Sequence, residues 1–191
     1  VLFRSDLAHQ ELAAQFADHG RTGPLQRAYL AIVWGVPTVR KGTVNAPLER
    51  HPYSRDKIAV RKSGREAITH WQVLETFNGK DGKPVASLIE CRLETGRTHQ
   101  IRVHMAHIGH PLLGDATYGT GFKTKVSHLT PEAQAALGGL GRQALHAYLL
   151  AVQHPTSGEV LEFRSELPAD LARLHRELSR SERPPGPKNR H

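Results

Sequence analysis

The stretch that decides the fold is Ala67-Ile68-Thr69-His70-Trp71-Gln72-Val73-Leu74-Glu75-Thr76-Phe77, then Asn78-Gly79-Lys80-Asp81-Gly82-Lys83, then Val85-Ala86-Ser87-Leu88-Ile89-Glu90-Cys91-Arg92-Leu93. Two runs rich in β-branched and aromatic residues flank a turn of Asn, Gly and Asp, which predicts an antiparallel hairpin. Upstream, Arg27-Ala28-Tyr29-Leu30-Ala31-Ile32-Val33-Trp34-Gly35 reads as a buried strand. Downstream, Leu145 to Gln153 and Val160 to Phe163 are strands joined through His154-Pro155-Thr156-Ser157-Gly158. Helices fall between these blocks. Ser5 or Asp6 caps one through Ala17, with Leu7, Leu12 and Phe16 as its apolar stripe. Thr98 to Ile108 is another, with Thr98 as N-cap and Gly109 as its stop. A short helix spans Pro131 to Leu137 in the Thr120–Gly141 loop, and the last runs from Pro168 to about Ser179. Strands joined by hairpins, with helices set between blocks, make an α+β fold with a mixed, mostly antiparallel sheet.

Length and charge narrow the partners. The 191 residues suffice for one domain with a core. Lys and Arg number 26 against 18 Asp and Glu, a net +8, with 13 histidines besides. Such a balance favours a polyanion. Pro37 to Arg65 is rich in proline and charge and carries a basic segment, Arg55, Lys57, Arg61, Lys62 and Arg65. Residues 179–191 are expected to be a disordered basic tail. A lone cysteine, Cys91, fits a reducing cytoplasm. No apolar run is long enough to cross a membrane, and the start has no signal-peptide core. A monomer is expected.

The densest chemistry lies in Gly96-Arg97-Thr98-His99-Gln100-Ile101-Arg102-Val103-His104. Arginine beside a helix N-terminus suits an anion; an ordinary salt-bridged turn is the plainer reading. Candidate RNA contacts are His99, Gln100, Arg102 and His104 here, with Arg61 and Lys62 on the basic segment. The latter pair reads equally as a solvated face. His99, His104, His107 and His110 raise a metal reading, but no cysteine or carboxylate completes a ligand set, so no metal is expected. Tyr29 is a core tyrosine by default, or an aromatic platform and proton acceptor. Asp115 and Tyr118, after Pro111-Leu112-Leu113-Gly114, form a structural loop, Asp115 being a latch in preference to a catalytic carboxylate.

Taken together, these residues resemble the RluA/RluD-type RNA pseudouridine synthases. The resemblance is carried by Arg27-Ala28-Tyr29-Leu30-Ala31 with Gly35, by Glu94 to His104, by His110-Pro111-Leu112-Leu113-Gly114-Asp115 with Tyr118-Gly119, and by Leu145-His146-Ala147. It extends over residues 6–178. It implies a mixed, mostly antiparallel sheet with flanking helices around a central RNA-binding cleft, no cofactor, and rRNA or tRNA as partner. It implies that a uridine is flipped out and isomerised with an aspartate acting at the N1–C1′ bond. Tyr29 would stack on the base and take a proton. Arg97 would pair with that aspartate. The family's aspartate sits in a His-Arg-Leu-Asp type motif, and this chain has none; Asp6 aligns with the start of the next helix. Residues 1–178 are therefore expected to be a catalytic domain lacking its N-terminal part, inactive alone, with Arg97 turned to solvent or to another carboxylate. Two other readings stand beside this one: a non-catalytic RNA-binding module, and a metal-dependent hydrolase using the histidines.

Overall fold

The computed structural model describes residues 2–180, apart from the side chains of residues 2–5 and of Arg55. Its elements in chain order are α1 (Leu2–Asp18), β1 (Gln26–Trp34), β2 (Lys41–Asn45), β3 (Leu48–His51), β4 (Ser54–Val60), β5 (Ile68–Asn78), β6 (Pro84–Leu93), α2 (Gln100–His107), α3 (Pro131–Gly138), β7 (Leu145–Gln153), β8 (Val160–Arg164) and α4 (Ala169–Arg180). A 3₁₀ segment covers Thr120–His128. Among the described residues, six strands form one sheet in the order β2-β5-β6-β1-β7-β8, and every pairing in it is antiparallel. The predicted hairpin is its centre, β5 against β6, with Trp71 opposite Cys91 and Val73 opposite Ile89. The α+β class with a mostly antiparallel sheet holds.

Alternation along the strands sends side chains to two faces. On one face Ala31, Val33, Trp71, Val73, Ile89 and Cys91 pack against Ile101 and Met105 of α2. On the other, Ile32, Trp34, Ala86 and Leu88 meet α3 and Leu171, Leu174 and Leu178 of α4. The spacing of those leucines makes one apolar stripe. Each such leucine, wholly buried, contributes about 1.5–3 kcal/mol. Cys91 lies at 0% exposure in the central strand, and burial pushes its thiol far above the ordinary range. Phe77 breaks the alternation. Between Val73 and Glu75 the register shifts, leaving Leu74 as an extra, exposed residue. That bulge turns Phe77 to the α4 face, where it meets His175 edge-on.

Pro37 to Arg65 holds three strands that its composition hides. β2 adds to the sheet at β5, while β3 and β4 pair as a separate hairpin over Leu48, Ala67 and Val103. α1 starts earlier than expected and runs through Ser5 and Asp6, so neither caps it; Asp6 is exposed. Its expected stripe is only loosely covered, with Leu7 54% and Phe16 38% exposed. Paired bonds between Gln15 and the Gln153 backbone tie α1 to β7. α4 reaches Arg180, into the segment expected to be a tail, and the rest of that tail (181–191) lies outside the described residues, as does Val1. No described helix is long and apolar enough to cross a membrane.

Candidate active site

The loop after β6 and the start of α2 are fixed by buried polar bonds. The Ala46 carbonyl can only accept, so His104 donates to it from Nε2 at 2.9 Å. The neutral ring then accepts at Nδ1 from the Thr69 hydroxyl, also at 2.9 Å. Thr69 accepts in turn from Gln100 Nε2 at 3.0 Å, and Gln100 Nε2 also reaches the Ile68 carbonyl. Gln100 Oε1 accepts from the Thr95 hydroxyl and from the Arg97 backbone amide, at 2.8 and 2.9 Å. Burial holds the His104 pKa below that of an ordinary histidine. Gln100 and His104 are thus interior and saturated by protein groups, which corrects their reading as RNA contacts. Thr98 is exposed and is not the cap. The residue entering α2 is His99, in left-handed backbone at φ 56° without a side-chain capping bond.

Arg102 is also inward. Its guanidinium forks onto Asp115 at 2.7 and 2.8 Å, with the carboxylate wholly buried. Asp115 further accepts from the Thr117 and Tyr118 amides. Burial pushes this carboxyl up, but Arg102 and the two amides outweigh it, so its pKa lies below the ordinary aspartate value. Tyr118 lies under Arg102, 4.9 Å from guanidinium carbon to ring centre. Its hydroxyl meets His99 Nδ1 and accepts from the Ile58 amide, both at 2.9 Å, joining α2 to the β3–β4 hairpin. This is a latch; Arg102 is no free cation for RNA. Burial and the Arg102 charge hold the His99 pKa below its ordinary value.

Three further groups lie half-buried around the first residues of β1 and the loop that leads into α2. Tyr29 is half-buried there, and its hydroxyl makes no hydrogen bond among the described residues. Arg97 is half-buried in the loop from Gly96 and donates from Nε to the Glu66 carbonyl at 2.9 Å. It has therefore found a backbone oxygen, where solvent or another carboxylate was expected. Arg27 stands two residues from Tyr29 on the same strand, hence on the same face. It donates from Nη2 to His19 Nδ1 at 3.1 Å. Sequence reading missed Arg27 and His19; the signal was a cation spaced by two from Tyr29 in an otherwise apolar strand. Arg61 and Lys62 are exposed after β4, Arg61 pairing with Glu49 at 3.0 Å. The other histidines disperse: His107 is exposed and His110 meets the Trp34 carbonyl. Among the described residues no three His, Cys, Asp or Glu side chains are grouped to hold a metal.

Comparison with known proteins fits this geometry. A family model described as RNA pseudouridylate synthase matches residues 1–107. The chain belongs to that family. Ribosomal large subunit pseudouridine synthase D of Zymomonas mobilis is 46% identical over 185 residues, which is 96% of this chain and 53% of that protein. The protein of the same name from Xanthomonas campestris is 47% identical over 78% of this chain and 43% of its own length. An uncharacterized RNA pseudouridine synthase of Bacillus subtilis, YlyB, is 39% identical over 95% of this chain and 52% of its own. The chain thus spans about half the length of the curated relatives it matches. Among solved structures, human RNA Pseudouridylate Synthase Domain Containing 1 superposes with a TM-score of 0.63 at 25% identity, covering 83% of this chain and 60% of that one.

Proposed function

We propose that these residues belong to an enzyme that isomerises uridine to pseudouridine in large-subunit ribosomal RNA, acting in the cytoplasm as a monomer without a cofactor. The observation that carries this is the approach of the Arg97 loop to the Tyr29 strand: Gly96 lies against Arg27, two residues from Tyr29, and among the described residues Arg97 is in no ion pair with a carboxylate. The names of the relatives supply the RNA. Tyr29 stacks on the flipped base and receives a proton at its hydroxyl. Arg97 orients and keeps ionised the carboxylate that acts at the N1–C1′ bond. The half-buried His99 and the exposed Arg61 and Lys62 contact the RNA backbone. The 191 residues contain no His-Arg-Leu-Asp type motif, so residues 1–178 act as a catalytic domain without its nucleophile and do not turn over alone.

The test is tritium release from [5-³H]uridine-labelled ribosomal RNA, run with this chain and with the full reading frame that contains it. Turnover by the full protein, abolished in Arg97→Ala and absent from the 191 residues, is the expected result. Turnover by the 191 residues would overturn the missing-nucleophile reading and point first to Asp115. Tight RNA binding by the full protein with no release would favour a non-catalytic RNA-binding module.

A further inference from the structure

Arg27 is a partly buried charge whose guanidinium lies 6.0 Å from the Phe16 ring centre and in no ion pair among the described residues. Its Nε is enclosed, without a hydrogen-bond partner. Of its five N–H donors, the one described bond goes to a neutral acceptor, His19 Nδ1. None of the ion pairs among the described residues includes Arg27 or Arg97. The nearby acids are occupied: Glu66 by Arg21, Glu94 by His70, and Glu90 by Arg92 and Tyr148. Arg27 lines a cleft of about 440 Å³ together with His19, Gln26, His70, Arg92 and Glu94, and Arg97 follows Gly96, whose backbone lies against the Arg27 guanidinium.

The local backbone holds that arrangement in place. His19 sits at φ 61°, a left-handed conformation that a non-glycine residue keeps only where its surroundings impose it. Because a guanidinium only donates, His19 accepts at Nδ1 and carries its proton on Nε2, a further N–H donor. Gly96 presses on the same group: a Cβ there would stand 2.5 Å from Arg27 Nη1. The missing side chain lets Arg27 lie against the loop that carries Arg97.

We infer that Arg27, supported by His19 and Gly96, binds a phosphodiester of the RNA strand next to the nucleotide presented to Tyr29. This rests on the function proposed above. There, one carboxylate forks onto Arg97, and a fork is filled by one guanidinium. Arg27 is then a second cation with no protein anion paired to it among the described residues. Its Cα is roughly 7 Å from that of Tyr29 along the strand, within the reach of one nucleotide. A phosphodiester brings one negative charge and two free oxygens, which suits the planar fork. Burial lowers the Arg27 pKa; burial together with the Arg27 and Arg97 charges lowers that of His19, which therefore stays neutral as an acceptor beside Arg27.

The experiment uses the full protein and a large-subunit ribosomal RNA transcript. The dissociation constant is measured from 50 to 200 mM KCl for the wild type, Arg27→Gln and Arg27→Lys, with thermal midpoints and tritium release on the same preparations. A lost phosphate contact weakens binding about tenfold and makes the log–log salt slope shallower by about one. That is expected of Arg27→Gln, with Arg27→Lys keeping the wild-type slope. Wild-type turnover with an unchanged slope in Arg27→Gln overturns the phosphate site alone. An unchanged slope with a lowered thermal midpoint assigns Arg27 to a protein carboxylate and also overturns it. Wild-type protein that neither binds nor turns over the RNA overturns the proposed function as well.

Discussion

At the residue scale, polar groups here divide by whether a protein partner satisfies them. Arg102 and Asp115 satisfy each other in the interior, so Asp115→Asn leaves a buried guanidinium unpaired. A loss of about 3–5 kcal/mol is expected, read as a lower urea midpoint. The Asp115 pKa is depressed in the fold, so its contribution is present at neutral pH and is lost as pH falls through the folded value. His104 works from the opposite charge. Its neutral form is locked between Thr69 and Ala46, and its folded pKa lies below the ordinary 6.5. Below 6.5 the unfolded chain gains a proton that the folded chain refuses. Stability therefore drops from pH 7 toward pH 5, a drop shared with His19 and His99, whose pKa values are also lowered. His104→Gln should flatten that limb of a urea-midpoint-versus-pH curve; an unchanged limb assigns it to other groups. Sequence reading named Arg102 and His104 as polar residues in a functional block, and could not tell which faced inward. Their partners, Asp115 and Ala46, lie 13 and 58 residues away, beyond any local pattern.

At the element scale, what the sequence made legible was whatever is periodic and deeply buried. β1, β5, β6 and β7 fall within a residue or two of their expected bounds, because each carries a continuous or alternating apolar pattern. β2, β3 and β4 were hidden because they are short, partly exposed and interleaved with charge. The β5 bulge was invisible for another reason: strict alternation assigns Phe77 to the wrong face. Deleting Leu74 straightens the strand and leaves Phe77 opposite Ala86, so a small loss is expected. Inserting one alanine after Thr76 sends Phe77 to the α2 side, at a cost of about 3–5 kcal/mol. Denaturant midpoints of the two variants check this; equal midpoints would show that the bulge does not set the face.

At the scale of the whole molecule, helices pad both faces of the sheet centre, and its rims at β2 and β8 are thinner. β8 leaves Val160 and Phe163 about half exposed, and α1 is tied to β7 by glutamine bonds more than by packing. Opening is therefore expected to begin at the β8–α1 side and to reach β6 last. Cys91 sits at that last point, and it is the chain's one cysteine. A thiol reagent that reacts within seconds in urea should label it slower in native buffer by a factor on the order of 10³ or more. Fast native labelling would mean that the central strand opens without the rest. The burial of one sulfur thus gives the molecule its own stopwatch: modification at Cys91, followed by mass, times the rarest excursion of the fold and needs no engineered reporter.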